Sequence, residues 1–298
     1  MKILVTGGTV FVSKYISEYF TNKGNEVYVL NRNTKPQVEN VNLIKCNRKE
    51  IDGQLNGLHF DTVIDVTAYT AEDVNTLLDS LESFDNYVMI SSSAVYPETL
   101  KIPFKESDMR DKNKFWGDYG TNKIAAENAL IKRFPDAYVL RPPYLYGEYN
   151  NIYREAFVFD CAERNMPFYL PKDGSMPLQF FHVEDLCRFI ERILELQPVQ
   201  KIFNVGNSPV TVKEWVDYCY CAVGKIPTYI NVTAETEQRN YFPFYDYGYV
   251  LNVTAQNEIM PELLPLNIGL SRAYEWYKEH KSEVRTKNYF EFIERNLK

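Results

Sequence analysis

Tyr119 and Lys123 are the residues whose types and spacing point most directly to chemistry. Four residues apart on a helix, a phenol and an ammonium share one face and open into the same space. A free tyrosine has a pKa of about 10 and is a poor base at neutral pH. A neighbouring ammonium favours the phenolate. Each unit of lowering needs about 1.4 kcal/mol of differential stabilisation. Such a tyrosine can take a hydroxyl proton while hydride leaves the same carbon. Ser92 supplies the complementary group, a hydroxyl that donates to the substrate oxygen and holds it near the phenol. Ser91 and Ser93 flank it with the same chemistry. A polar strand exit that satisfies its own backbone accounts for one or two of the three.

Spacing alone selects nothing. Tyr-x-x-x-Lys recurs at Tyr19/Lys23, Tyr274/Lys278 and Tyr277/Lys281 in a chain carrying 23 tyrosines. Topology selects. Tyr119 alone follows a strand ending in serines, at the carboxyl edge of the expected sheet, where open α/β folds bind ligands. The other three pairs read as helix-surface contacts.

The elements that must position this pair begin at the N-terminus. Residues 2–5 are an apolar run, broken by Thr6-Gly7-Gly8-Thr9. Residues 10–20 have helical spacing and residues 26–30 form a second apolar run, so the order is strand, glycine turn, helix, strand. A glycine turn at the mouth of a βαβ unit lets backbone N–H groups approach a pyrophosphate, with a helix N-terminus behind them. Gly7, Thr9, Val10, Phe11 and Val12 are therefore the expected dinucleotide cradle. The fingerprint positions read Gly7, Val10 and Ser13. Asn31-Arg32 end the second strand, where an acid would bind the ribose of NAD. With Arg32 in its place, NADP is slightly favoured over NAD. Asn47-Arg48 and Thr67-Ala68-Tyr69 follow the next two strand candidates, 41–46 and 61–66, and are expected beside the cofactor.

Helical patterns at 71–83 and 119–134 alternate with strands at 87–90 and 137–140, the last closed by Arg141-Pro142-Pro143. Residues 97–118 read as a polar surface loop. The alternation predicts an α/β fold with a Rossmann-like, doubly wound parallel sheet. The second half is less regular, with helices at 153–164 and 183–196 and strands at 167–171, 179–182 and 201–205. A helix capped by Thr211 and Glu214 follows. Two further helices, at 270–281 and 287–296, close the chain. The expected division is a dinucleotide-binding unit over 1–148 plus about 180–210, and a smaller substrate lobe over 149–179 plus about 211–298.

The 298 residues carry a net charge of −7, which disfavours a nucleic-acid partner. No stretch approaches the length of a membrane span, and Met1-Lys2 leads straight into a strand without a signal segment. Five cysteines, at 46, 161, 187, 219 and 221, lack metal-ligand spacing and suit a reducing cytoplasm. His182, at a strand-to-helix junction, reads as structural, and Glu184-Asp185 as a helix start. Arg154 and Lys172 are cations that either meet a diphosphate or face solvent. No metal constellation and no Ser-His-Asp order is present.

Several separated stretches resemble one family. They are Thr6 to Ser13 (TGGTVFVS), Asp61 to Asp65 (DTVID), Ile90 to Tyr96 (ISSSAVY) and Tyr119 to Lys123. They continue through Leu140 to Gly147 (LRPPYLYG), Phe181 to Leu186 (FHVEDL) and Phe203 to Gly206 (FNVG). Together they resemble extended short-chain dehydrogenase/reductases of the NAD-dependent epimerase/dehydratase type. The resemblance implies Ser92, Tyr119 and Lys123 as catalytic residues, NAD or NADP as cofactor with Pro142 beside it, and a nucleotide sugar as substrate. It places Ser93, Tyr144 and Arg154 toward that substrate, Tyr144 standing where many epimerases carry an asparagine. It also implies a homodimer paired through the helices at 71–83 and 119–134. Val10 in place of the middle glycine, with Asn31-Arg32 and Asn47-Arg48, resembles a side branch whose loop reads GGTxF. That branch includes plastid RNA-binding relatives. Ser93-Ala94 stand where 4,6-dehydratases carry an acid pair, so epimerase or reductase chemistry is expected over dehydration. The competing expectation is a non-catalytic protein that senses dinucleotide or binds RNA on a Rossmann frame.

Overall fold

Seven short strands assemble into one parallel sheet. In chain order they are β1 (Lys2–Thr6), β2 (Glu26–Asn31), β3 (Asn42–Lys45), β4 (His59–Asp65), β5 (Ser83–Ile90), β6 (Tyr138–Arg141) and, much later, β11 (Ile202–Asn204). Their spatial order is β11-β6-β5-β4-β1-β2-β3, every neighbour parallel. Ile3, Leu4, Val5, Val63 and Ile64 are wholly buried, as strands covered on both faces must be. The computed structural model describes residues 1–233 and 235–298.

Helices cover both faces. On one side α1 (Phe11–Asn22) and α5 (Val183–Leu196) bury Ile16, Phe20, Leu186 and Phe189. On the other, α2 (Ala71–Ser80) and α3 (Asp118–Arg133) bury Val74, Leu77, Ala126 and Leu130. The strand order reverses between β1 and β4, so a crevice opens at their carboxyl ends. The glycine turn after β1 and the serines after β5 both lie on that edge. The expected doubly wound sheet is thus the observed one, with a sharper edge at α2. That helix stops at Ser80, because Ser83–Asn86 are recruited as the polar start of β5.

The rest of the chain builds a third, aromatic core. It holds β7 (Tyr144–Tyr146), α4 (Glu155–Glu163), β8 (Phe168–Pro171), β9 (Pro177–Leu178) and β10 (Phe180–His182). It continues with β12 (Val210–Thr211), α6 (Val212–Ala222), β13 (Tyr229–Val232), α8 (Leu266–His280) and α9 (Tyr289–Asn296), while α7 (Thr254–Ile259) packs with α5 and β11 instead. The sequence pattern misses β7, which is three residues long and follows two prolines. It forms only because β10 pairs with it. The tyrosine-rich stretch 225–250 supplies β13, which pairs with β8, and then buries Tyr241, Phe242, Phe244 and Tyr249. Trp215 stacks on Phe180 at 5.4 Å within this core. Among the described residues no helix is long and apolar enough to cross a membrane.

Candidate active site

The glycine turn is built by close packing. Gly7 (φ +98°) and Gly8 (φ +92°) both occupy the region that favours glycine. A Cβ on Gly7 would lie 2.8 Å from Ser13 Oγ, and one on Gly8 would lie 2.6 Å from a methyl of Val29. Ser13 is therefore the small residue that lets helix meet turn. Gly8, which the sequence pattern leaves without a role, presses the turn onto β2. Asn31 locks the turn from outside, its amide donating to the Gly7 carbonyl at 2.6 Å. Val10 caps α1 with extended backbone and no side-chain hydrogen bond, and no acid lies in the first turn. The leading N–H groups of α1 thus have no side-chain acceptor and point into the crevice. Val10 does not block it. Val10, Phe11 and Val12 line the same cavity as Ser92, Tyr119 and Lys123, a space of about 560 Å³.

Four tyrosine–lysine pairs share one spacing, and geometry separates them. Lys23, Lys278 and Lys281 each lie over the ring of their own tyrosine, at 5.4, 5.3 and 5.3 Å. Lys123 does not. It is 2 % exposed, its ammonium lies 5.0 Å over the ring of Tyr69, and it donates at 2.8 Å to the carbonyls of Ala68 and Ile90. Those carbonyls are the exits of β4 and β5. Burial lowers the Lys123 pKa to about 8, against the pull of the Asp65 and Glu127 carboxylates. Tyr119 is 39 % exposed, with the rings of Tyr69 and Trp116 beside it at 6.5 and 6.3 Å. Burial pushes the Tyr119 phenol up, while the Ser92 hydroxyl and the Arg154 charge act the other way.

The three serines divide their work. Ser91 donates to the buried Glu127 carboxylate. Ser92 accepts from the Ala94 N–H at 3.1 Å and faces the cavity. Ser93 is buried, donates its N–H to the Pro142 carbonyl at 3.0 Å, and also lines the cavity. Glu127 stands one turn after Lys123, so Tyr119, Lys123 and Glu127 form one stripe of α3. Arg141 grips Glu127 at 2.7 and 3.0 Å, and Arg110 adds a third contact at 2.8 Å. Burial works to raise the Glu127 carboxyl, but the two arginines hold it below its ordinary range.

Several expected cofactor residues have other partners. Arg48 is a strut. Its guanidinium meets Asp65 at 2.5 and 2.7 Å, the Thr67 hydroxyl at 2.8 Å and the Asp73 carbonyl at 2.8 Å. Asp65 is fully buried and needs a counter-charge, and Arg48 supplies it. Asn47 is exposed and bonds the Lys49 N–H in its own turn. Arg32 is exposed beside the turn. Thr67 and Tyr69 line the cavity, whereas Ala68 is buried and contributes its carbonyl to Lys123. Lys172, a diphosphate candidate from sequence, is held by Asp246 at 2.8 Å. His182 accepts from the Glu184 N–H and faces Glu148 at 3.3 Å, as a structural residue should.

Beyond Tyr119 the cavity narrows. Trp116, Tyr144, Ile152 and Arg154 belong both to it and to a throat of about 90 Å³, which Arg239, Tyr289 and Lys287 complete. The throat leads to an outer cavity of about 620 Å³ that shares Arg239, Lys287 and Tyr289. Arg154 lies over the Tyr144 ring at 4.8 Å, and Arg285 also lines the inner cavity. Lys287 is lowered by burial and by the charges of Arg239 and Arg154. Among the described residues these four cations have no carboxylate in ion-pair reach, whereas Arg48, Arg110, Arg141, Arg188 and Arg272 each have one. Arg239, Arg285 and Lys287 come from distant segments, and no local pattern marks them. Tyr119-x-x-x-Lys123-x-x-x-Glu127 was the one available sign of Glu127.

Residues 3–206 match the model of the NAD dependent epimerase/dehydratase family. The chain belongs to that family. Among relatives of the NAD-dependent epimerases/dehydratases, the chloroplast stem-loop binding protein of 41 kDa b from Arabidopsis thaliana is 26 % identical. That match covers 92 % of this chain and 78 % of the relative. A dTDP-4-dehydro-6-deoxy-D-allose reductase from Streptomyces is 22 % identical, covering 94 % of this chain and 97 % of the reductase. Among solved structures, UDP-N-acetylglucosamine 4-epimerase from Bacillus cereus superimposes with a TM-score of 0.76 at 19 % identity. That superposition covers 93 % of this chain and 99 % of the epimerase. A dTDP-glucose 4,6-dehydratase from Bacillus anthracis, in complex with NAD, gives a TM-score of 0.72 at 19 % identity over 95 % and 98 % of the two chains.

Proposed function

We propose that this protein is an NAD(P)-dependent epimerase or reductase acting on a nucleotide-linked sugar, with Tyr119, Lys123 and Ser92 as its catalytic residues. The observation that carries the reading is convergence. The start of α1 that follows the glycine turn, Val10 to Ser13, and the Ser92/Tyr119/Lys123 group line one cavity. Residues 1–148 with 180–210 would hold the dinucleotide, and 149–179 with 211–298 the sugar nucleotide.

The residues fit a dinucleotide. Gly7 and Gly8 let the turn pack tightly on Ser13 and Val29, and the N-terminus of α1 that follows it has no side-chain cap and lines the cavity. When bound there, the cofactor accepts or returns a hydride. Ser92 donates to the substrate hydroxyl or carbonyl and holds it beside Tyr119. The Tyr119 phenol oxygen takes the hydroxyl proton, or gives it back. Lys123 is the buried positive charge proposed to favour the phenolate, beside Ser92 and Arg154, which oppose the rise that burial imposes on the phenol. Arg239 and Lys287, which line both the throat and the outer cavity, suit a diphosphate, and the outer cavity suits the nucleoside behind it.

Tyr144 and Ser93 line the sugar end. A cytoplasmic setting agrees with five unpaired cysteines. The resemblance further implies a homodimer paired through α2 and α3, and sedimentation as a monomer would refute it. Calorimetry with NAD and NADP, followed by turnover of UDP- and dTDP-sugars, tests the reading. Binding of neither dinucleotide would sink it.

A further inference from the structure

The four cations around the throat exceed what a diphosphate requires. Arg239 and Lys287 line the throat and the outer cavity, so they flank the place proposed for the diphosphate. Roughly one negative charge per phosphate matches that pair. Arg154 and Arg285 are left over. Both line the inner cavity, together with Ser92, Ser93 and Tyr119, where the sugar ring would lie.

Among the described residues neither arginine has a carboxylate in ion-pair reach. The acid next in sequence to Arg154 is Glu155, which is buried and bonded at 2.8 Å by the Asn150 amide. In the outer cavity Glu291 is committed to Arg295 at 2.7 Å. Arg154 is also held in place. Its guanidinium lies over the Tyr144 ring and donates at 3.4 Å to the Leu145 carbonyl. Arg285 is fixed through its backbone, its N–H meeting the Asn151 carbonyl at 3.0 Å. Unpaired cations kept together cost free energy through mutual repulsion, unless an anion completes the site. A guanidinium fork matches a carboxylate in geometry as well as charge.

We infer that the sugar of the substrate carries a carboxylate, and that Arg154, assisted by Arg285, reads it. This rests on the nucleotide-sugar reading of the cleft. It deepens that reading by narrowing the class from neutral sugars to sugar acids, and makes Arg154 a specificity residue.

The test is titration calorimetry on the NAD-loaded protein, with UDP, UDP-glucose and UDP-glucuronate, repeated with dTDP, dTDP-glucose and dTDP-glucuronate. The expected result is that one glucuronate binds about tenfold or more tighter than its glucose counterpart. Arg154→Gln removes that preference but leaves UDP or dTDP affinity within about threefold, and Arg154→Lys restores part of it. Arg285→Gln, at an exposed position, reduces the preference without risk to the fold. Equal binding of glucose and glucuronate forms overturns the inference. So does an Arg154→Gln variant that weakens UDP and UDP-glucuronate by one common factor, because Arg154 then belongs to the diphosphate. Absence of binding by UDP, dTDP and all four sugars overturns the nucleotide-sugar reading itself, and the inference with it.

Discussion

The ammonium of Lys123 donates to the carbonyl of Ala68 at 2.8 Å, tying α3 to the exit of β4. A second bond of equal length runs to Ile90 at the exit of β5. Two strand ends and one helix are thus joined through a single buried charge. The loop that carries Ala68 is itself fixed. The Thr6 hydroxyl receives the N–H groups of Val66 and Thr67, and donates to Asp65 at 2.7 Å. Lys123 therefore sits where backbone dipoles and two buried carboxylates, Asp65 and Glu127, keep it charged against the cost of burial.

Replacing Tyr119 by phenylalanine removes only the phenol oxygen. Turnover of an accepted sugar nucleotide should fall by about 10²–10⁴-fold, while NAD affinity changes little. Retention of near-normal kcat would show that the proton is handled elsewhere.

Arg48 should matter for stability more than for cofactor affinity. Arg48→Met leaves the fully buried Asp65 without its counter-charge, a change that costs about 3–5 kcal/mol in comparable buried pairs. Urea unfolding would report it as a lower midpoint. A second variant, Arg48→Met with Asp65→Leu, should recover much of the loss, because no lone charge is then buried. If Arg48→Met unfolded normally and failed only in NAD binding, the strut role would be wrong.

The layered sheet was readable because its signals are local. Apolar runs, a glycine turn and helical spacing lie within short windows, and β1, α1, β2, β4 and α5 emerge from them. The Ser92/Tyr119/Lys123 group could be proposed because α3 is the next α-helix after β5 and returns to the same edge of the sheet. The Arg48–Asp65 pair was not legible, because Asp65 lies at the end of β4, away from Arg48 in sequence. Arg48 looks like a loop cation until β3 and β4 bring the two together. The throat was invisible for a related reason. Arg154 was a candidate from sequence, but Arg239, Arg285 and Lys287 join it only after the aromatic core has folded, and nothing in their neighbours' pattern announces a shared site. β7 illustrates the same limit for backbone, since its partner strand is what makes it a strand.

Cofactor choice turns on Arg32. It is exposed beside the Gly7 turn, where no acid is present to receive a ribose hydroxyl. Arg32→Ala should weaken NADP by about tenfold and leave NAD nearly unchanged, since a lost charge-assisted contact is worth roughly 1.5–3 kcal/mol. Equal loss for both dinucleotides, measured by calorimetry, would remove Arg32 from any role in selectivity.

Acid stability should depend on Glu148, far from the reacting groups. Burial works to raise this carboxyl, but His182 at 3.3 Å and Arg272 at 2.8 Å hold it down at about 2. The unfolded chain takes up the proton near the ordinary value of 4.5. Between those values the unfolded state binds more protons than the folded one, so stability is lost as pH falls through the interval. Above it the contribution is complete and constant. Glu148→Gln should therefore destabilise the protein at pH 7, and its unfolding midpoint should change less steeply than the wild type's between about pH 4.5 and 2. A variant whose acid limb parallels the wild type would place the titrating group elsewhere. The fully buried Asp65 and Glu127 are the next to examine, because Arg48 and Arg141 lower them in the same direction.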